Sequence, residues 1–224
     1  MAGWLWHTRR VTDHRRATAE GPAAVEAVVF DMGGVLLDWN PRHLYRKVFA
    51  DEDAMERFLT ELDLVAWNVA NHDSGARPMA DSVAELAARH PSYADELAVW
   101  GERYTEMVGG PIAGSIELLA ELRGRVPLYL LSNAPREPME RLRREWSFFD
   151  WFDGQVVSAE EGLIKPDPRL YQVLLDRFRL VPEATVFVDD VAANVDAAAA
   201  LGIRAIRFDS ADQLRQDLRR LRLL

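Results

Sequence analysis

The sequence predicts an α/β fold: a parallel sheet flanked by helices, with an all-helical unit inserted into it. Three observations predict this. Five short β-rich runs are almost continuously apolar, as strands covered on both faces must be. Stretches with apolar residues at helical spacing separate the later runs, as crossover connections require. Residues 41–110, between the first run and the second, carry helix signals and no strand signal.

The elements follow in order. AVVFD (27–31) is the first strand, and it delivers Asp31 to its tip before Gly33 and Gly34. NPRHLYRKVF starts the insert, with Asn40 as N-cap and Pro41 at the first helical position. Asp38 is read as a further cap for this helix. DEDAMERFLTELDLVAW, MADSVAELAARH and SYADELAVWGERYTEMV are amphipathic helices, and 66–82 reads as a loop between two of them. SIELLAELRGR (115–125) returns the chain to the core, followed by the strands VPLYLLS (126–132) and GQVVS (154–158). PRLYQVLLDRFRL (168–180) is a Pro-initiated helix, and TVFVDD (185–190) is the fourth strand. VAANVDAAAALG (191–202) ends on a glycine C-cap, and IRAIRF (203–208) is the last strand. The expected organisation is an N-terminal extension (1–24), a core of 25–40 and 111–224, and a helical cap of 41–110.

Composition narrows the function. The chain has 224 residues, 49 % of them apolar, enough for a sizeable core. Its net charge of −9 argues against a nucleic-acid or anionic-membrane partner. With no cysteine, disulfides and thiolate metal sites are excluded. No apolar run reaches the roughly 18 residues of a membrane span. The first 24 residues carry four arginines but no apolar secretory segment, so a cytoplasmic protein with an unpacked extension is expected; an Arg-rich targeting segment is the alternative.

In an open α/β sheet, ligands bind beyond the carboxyl ends of the strands. Those ends here carry Asp31, then Ser132 and Asn133, then Asp189 and Asp190; Lys165 precedes the Pro-initiated helix in EEGLIKPDPRLY. Each has a role in phosphoryl transfer. Asp31 can attack phosphorus and form an aspartyl-phosphate. Three close carboxylates repel one another unless a cation sits among them, and an all-oxygen set suits Mg²⁺. Ser132 and Asn133 can hydrogen-bond phosphoryl oxygens, and Lys165 can offset their negative charge. Asn194 is open between a structural and a supporting role.

FDMGGVL, LLSNA, GLIKPDPRLY and VFVDDVAANV resemble, in order, the four motifs of the haloacid dehalogenase superfamily. The resemblance covers about 26–208 and implies a Rossmann-like core with a helical cap. Its nearest likeness is to small-metabolite phosphatases, including sugar-1-phosphate phosphatases and the phosphatase domain of epoxide hydrolases. It implies Asp31 as nucleophile, Asp190 as direct Mg²⁺ ligand, and Asp189 acting mainly through water. It also departs from the family pattern. The usual phosphatase carries a second Asp two residues after the nucleophile, to protonate the departing alcohol; Gly33 stands there, offering only a backbone carbonyl to the metal.

Mg²⁺-dependent hydrolysis of a small phosphorylated metabolite, such as a sugar 1-phosphate, is therefore expected. 2-Haloacid dehalogenation is the alternative, since a halide needs no proton; the acidic pair at 189–190 speaks against it. A non-catalytic binding protein on the same fold is the third reading. Without an acid at residue 33, the rate should depend steeply on the leaving group. The cap should choose the substrate: Trp67, Asn68, Asn71, His72 and Arg77 are candidate contacts, the cap-facing loop that includes His72 is the first place to look for another proton source, and Trp39 lies at the cap entrance. A cap-core role for Trp67 is the alternative.

Overall fold

The computed structural model describes residues 24–224, so the extension read over 1–24 lies outside the described residues except for its last one. The strands are β1 (Ala27–Phe30), β2 (Leu37–Trp39), β3 (Val108–Pro111), β4 (Leu128–Ser132), β5 (Gly154–Val157), β6 (Thr185–Asp189) and β7 (Arg204–Arg207). Five of them form one parallel sheet in the order β5-β4-β1-β6-β7, and each lies within one of the apolar runs.

The core helices are α6 (Ala113–Leu122), α7 (Arg136–Glu145), α8 (Ser158–Glu161), α9 (Pro168–Phe178), α10 (Ala192–Ala200) and α11 (Ala211–Arg220), numbered after the five of the insert: α1 (Arg42–Tyr45), α2 (Glu52–Glu61), α3 (Leu64–Asn68), α4 (Met79–Arg89) and α5 (Ala94–Glu102). The side-chain alternation of β1 divides the core. Val28 and Phe30 face Leu118 and Leu122 of α6 and Leu214 and Leu218 of α11. Val29 faces the opposite layer, with Leu170, Tyr171 and Leu174 of α9. Each such fully buried side chain contributes about 1.5–3 kcal/mol. Asp167 caps α9 by accepting from Arg169 N at 2.9 Å, with Pro168 in the first turn.

The insert has a separate core of Tyr45, Phe58, Leu64, Trp100 and Met107, all buried. Tyr45 and Phe58 meet edge-on at 4.8 Å. Asp51 caps α2 through Asp53 N and Ala54 N. Asp63, left-handed at φ 43°, separates α2 from α3.

Three local expectations change. Val108–Pro111, at the end of the insert, forms a strand that pairs antiparallel with β2. The stretch read as a loop over 66–82 is helical through Asp73: α3 runs into a single wide turn, Val69–Asp73. The helix persists because its polar side chains bond within it: His72 Nδ1 to Asn68 Oδ1 at 3.1 Å, and Asn71 Nδ2 to the Trp67 carbonyl at 2.8 Å. Asp38 does not cap α1. It meets His43 Nε2 at 2.9 Å, while Asn40 Oδ1 accepts from Arg42 N at 3.0 Å. Among the described residues no helix is long and apolar enough to cross a membrane.

Candidate active site

Strand register builds the site. Phe30 pairs with Leu130 on one side and Val188 on the other, so Asp31 stands level with Leu131 and Asp189. Lys165, from the loop before α9, reaches this level from below. Its Nζ lies 2.8 Å from Asp31 Oδ1 and 2.7 Å from Asp189 Oδ2, and it donates to Leu131 O at 3.0 Å. Three ammonium hydrogens thus meet three acceptors. Lys165 is 2 % exposed and Asp31 7 %.

Asp189 is fully enclosed. Besides Lys165 it accepts from Asn194 Nδ2 at 3.0 and 3.1 Å and from Val191 N at 2.8 Å. Asn194 therefore holds Asp189 in place. Asp190 is half-buried and lines the cavity above Asp31. Oxygens of Asp31, Asp189 and Asp190 all lie within 4.8 Å of one another. An all-oxygen cluster of this size fits a small hard dication such as Mg²⁺. The electrostatics of the cluster ask for one. Burial raises the Asp31 pKa against the pull of Lys165, and burial with Asp189 beside it raises that of Asp190. Burial works against the Lys165 charge, but Asp31 and Asp189 outweigh it and raise its pKa.

Asn133 Nδ2 donates to Lys165 O at 3.1 Å, and Lys165 N donates to Asn133 Oδ1 at 2.8 Å. Its amide clamps the lysine loop from both sides. Ser132 is buried at the end of β4, where its hydroxyl has only a long contact, 3.5 Å, to Asn133 O.

The two glycines differ. Gly34 has φ +76°, and a Cβ there would fall 2.7 Å from the Asp190 carboxyl carbon. At Gly33 a Cβ would meet only Trp39 Cβ, at 3.7 Å. Gly34→Ala should destabilise the fold by about 1–3 kcal/mol and displace Asp190. Gly33→Ala should cost under about 1 kcal/mol. Urea denaturation of the two variants checks the contrast, which equal losses would refute.

A cavity of about 340 Å³ rises from Asp31 to the cap. Asp31, Lys165, Asp190 and Asn133 lie at its floor, and Trp39, Val65, Asn68, Val69, Asp73 and Tyr104 come from the cap side. Pro138, Met139 and Leu142 of α7 complete a largely apolar wall. Of the candidate substrate contacts, Trp39 and Asn68 line this cavity. Trp67 and His72 do not: they pack together in the cap, ring centroids 4.5 Å apart, with Trp67 edge-on to Trp100. His72 also bonds Ser82 Oγ at 2.7 Å, and burial lowers its pKa to about 4, so its ring is neutral and occupied. Arg77 pairs with Glu85 at 2.7 Å, and Asn71 with its own helix.

Asp73 was missed from the sequence. It ends the wide turn after α3, lines the cavity, and is 4 % exposed. Asn68 Nδ2 donates to its Oδ1 at 2.9 Å, and Ser158 Oγ at the start of α8 donates to its backbone carbonyl. An acid followed by Ser and Gly reads as a turn; the empty acid position at Gly33 was the signal that another carboxyl should be sought.

Residues 25–202 match the family model of haloacid dehalogenase-like hydrolases. A sesquiterpene phosphatase of Aspergillus oryzae is 30 % identical over 197 residues, 88 % of this chain and 96 % of that protein. A phosphorylated carbohydrates phosphatase of Thermotoga maritima is 30 % identical over 190 residues, covering 81 % and 84 % of the two chains. Among solved structures, a family enzyme of Bacteroides thetaiotaomicron in a magnesium complex superposes with a TM-score of 0.67 at 18 % identity, covering 88 % of this chain and all of that one.

Proposed function

This chain is an enzyme of the haloacid dehalogenase-like hydrolase family, a phosphatase as its curated relatives are, and from that premise we propose that it hydrolyses a small phosphate monoester with Mg²⁺ through an aspartyl-phosphate on Asp31. The observation that carries the reading is the ladder of Asp31, Lys165, Asp189 and Asp190 at the floor of a cap-roofed cavity.

Asp31, Asp190 and the Gly33 carbonyl would hold Mg²⁺, with Asp189 behind them. When bound, the metal supplies positive charge to the phosphoryl oxygens. Lys165 grips one Asp31 oxygen and directs the other at phosphorus. That oxygen forms the new P–O bond as the bond to the alcohol breaks. Water then attacks phosphorus, releases phosphate and restores Asp31. The Ser132 hydroxyl, weakly engaged, binds a phosphoryl oxygen; Asn133 and Asn194 keep Lys165 and Asp189 in place.

The alcohol faces the apolar wall. Met32, Trp39, Val65, Pro138, Met139 and Leu142 offer surface for a hydrocarbon or aromatic alcohol, and Asn68, Asp73 and Tyr104 offer a narrow polar strip. A sugar bristling with hydroxyls is served less well there than a substrate with one apolar side. Orthophosphate release from a panel of prenyl, aryl and sugar 1-phosphates, with Mg²⁺ and with EDTA, tests the reading. Metal-dependent release, faster from the apolar esters, is expected. Metal-independent halide release from 2-chloropropionate, with no phosphate release, would instead make the enzyme a dehalogenase.

A further inference from the structure

The motif pattern leaves a step without its residue. When the bond from phosphorus to the alcohol breaks, the electron pair stays on the alcohol oxygen, which needs a proton unless it is a good leaving group. Gly33 has none to give.

The cavity holds one carboxyl the mechanism has not used. Asp73 comes from the cap and lines the cavity together with Asp31, Lys165 and Tyr104. Asn68 holds its Oδ1, and its Oδ2 accepts no hydrogen bond from the described residues. Its backbone is fixed to the core, because Ser158 Oγ donates to Asp73 O and Gly75 lies against the Ala159 backbone. Wide turns of this kind collect at functional positions in helices, since they turn a side chain out of the regular spiral.

We propose that Asp73 is the general acid and base of the reaction, replacing the acid that Gly33 lacks. The inference rests on the phosphatase reading above. In the first half, Asp73 Oδ2 gives its proton to the alcohol oxygen as the P–O bond breaks and Asp31 bonds phosphorus, leaving Asp73 ionised. In the second, water attacks the aspartyl-phosphate and its proton passes to Asp73, while the bond from Asp31 to phosphorus breaks and frees phosphate. Both residues return to their starting states.

The surroundings of Asp73 suit an acid. Burial raises its pKa to about 7, against the opposing pull of the Asn68 hydrogen bond and of Lys165. The titratable groups facing it are Lys165, below in the cavity, and the Tyr104 phenol, whose pKa burial and Asp73 itself push well upward. Its neighbour His72 turns its neutral ring to Asn68 and Ser82, and α8 presents the uncharged Ser158. A carboxyl that is still protonated near neutral pH has the driving force a departing alkoxide requires.

This reverses the expectation drawn from Gly33: the wild type should show a shallow dependence on the leaving group. The test measures kcat/KM with Mg²⁺, which runs only as far as release of the alcohol and so reads the first half-reaction alone, on n-butyl phosphate and on p-nitrophenyl phosphate, for wild type and Asp73→Asn. On the butyl ester the variant should lose about 10²–10⁴-fold. On the nitrophenyl ester, whose leaving group needs little help, it should lose far less. The wild-type rate on the butyl ester should fall as pH rises through the Asp73 pKa, and the variant should lose that limb. Equal losses on both esters would reduce Asp73 to a structural strut and overturn the proposal, as would an undiminished butyl rate. If Asp73→Asn fails to fold by circular dichroism, the wild type decides: a steep leaving-group dependence overturns the proposal and a shallow one with the basic limb supports it. A wild type inactive on both esters overturns the phosphatase reading and this inference with it.

Discussion

Asp31→Asn will leave a folded protein that turns over no phosphate ester, with kcat down about 10⁴-fold or more, the scale on which removing a nucleophile acts. The amide keeps the shape of the carboxylate and can still face Lys165 Nζ, now 2.8 Å from Asp31 Oδ1. What it loses is the negative charge and lone-pair reactivity that attack phosphorus. The fold should not suffer, because the substitution removes one acid from a cluster of three that repel one another. The measurement is orthophosphate release beside a thermal melt. Residual turnover above about one per cent of wild type would show that water attacks phosphorus directly and that Asp31 only binds.

Lys165→Met should be the variant that damages both activity and fold. The ammonium neutralises Asp31 and Asp189 and satisfies the Leu131 carbonyl, all away from water. Removing one partner of a buried pair typically costs about 3–5 kcal/mol. The penalty should depend on pH with a definite sign. In the variant, burial raises Asp31 above its unfolded value with no Lys165 charge opposing, so the folded form holds an extra proton. Stability is then greatest below the unfolded carboxylate range and is lost as pH rises through the raised folded value. The deficit in melting temperature against wild type should therefore shrink on acidification. A deficit that stays constant between acid and neutral pH would mean that lost packing against Phe187, whose ring lies 5.6 Å from Nζ, outweighs the charge.

The sheet and its site were legible because each relevant signal is local. An apolar run ending in a polar residue reads as a strand tip whatever surrounds it: β1 and β6 end on acids, and β4 ends on Ser132. β3 was hidden because Val-Gly-Gly-Pro has neither length nor β propensity; only its partner β2 makes it a strand. α11 gives little signal in the sequence because arginine, aspartate and glutamine together dominate it, although Leu214 and Leu218, one turn apart, are its buried face. Trp67 and His72 show the limit of reading a cap. An aromatic and an imidazole on a helix can turn into the cap's own core or out to a ligand, and only tertiary packing chooses; here it chose Trp100 and Ser82. Asp73 shows the converse, a carboxyl whose neighbours in space, Lys165 and Ser158, lie far along the chain.

The short ribbon of β2 and β3 makes the cap a parenthesis. The chain leaves the core at Trp39 and comes back at Val108, its partner in the ribbon. The core therefore experiences everything between as one tight hairpin, and the entropy of closing it is nearly the same whatever the contents, since loop length enters only logarithmically. Text within such brackets is easily rewritten, and new substrates can be adopted by editing there while the floor of the cavity is inherited intact. With Asp73 as the proton donor, the rewriting is constrained: one word inside the brackets belongs to the grammar of the core, and a transplanted cap that omits it would bind a substrate yet confine its host to esters that depart unaided.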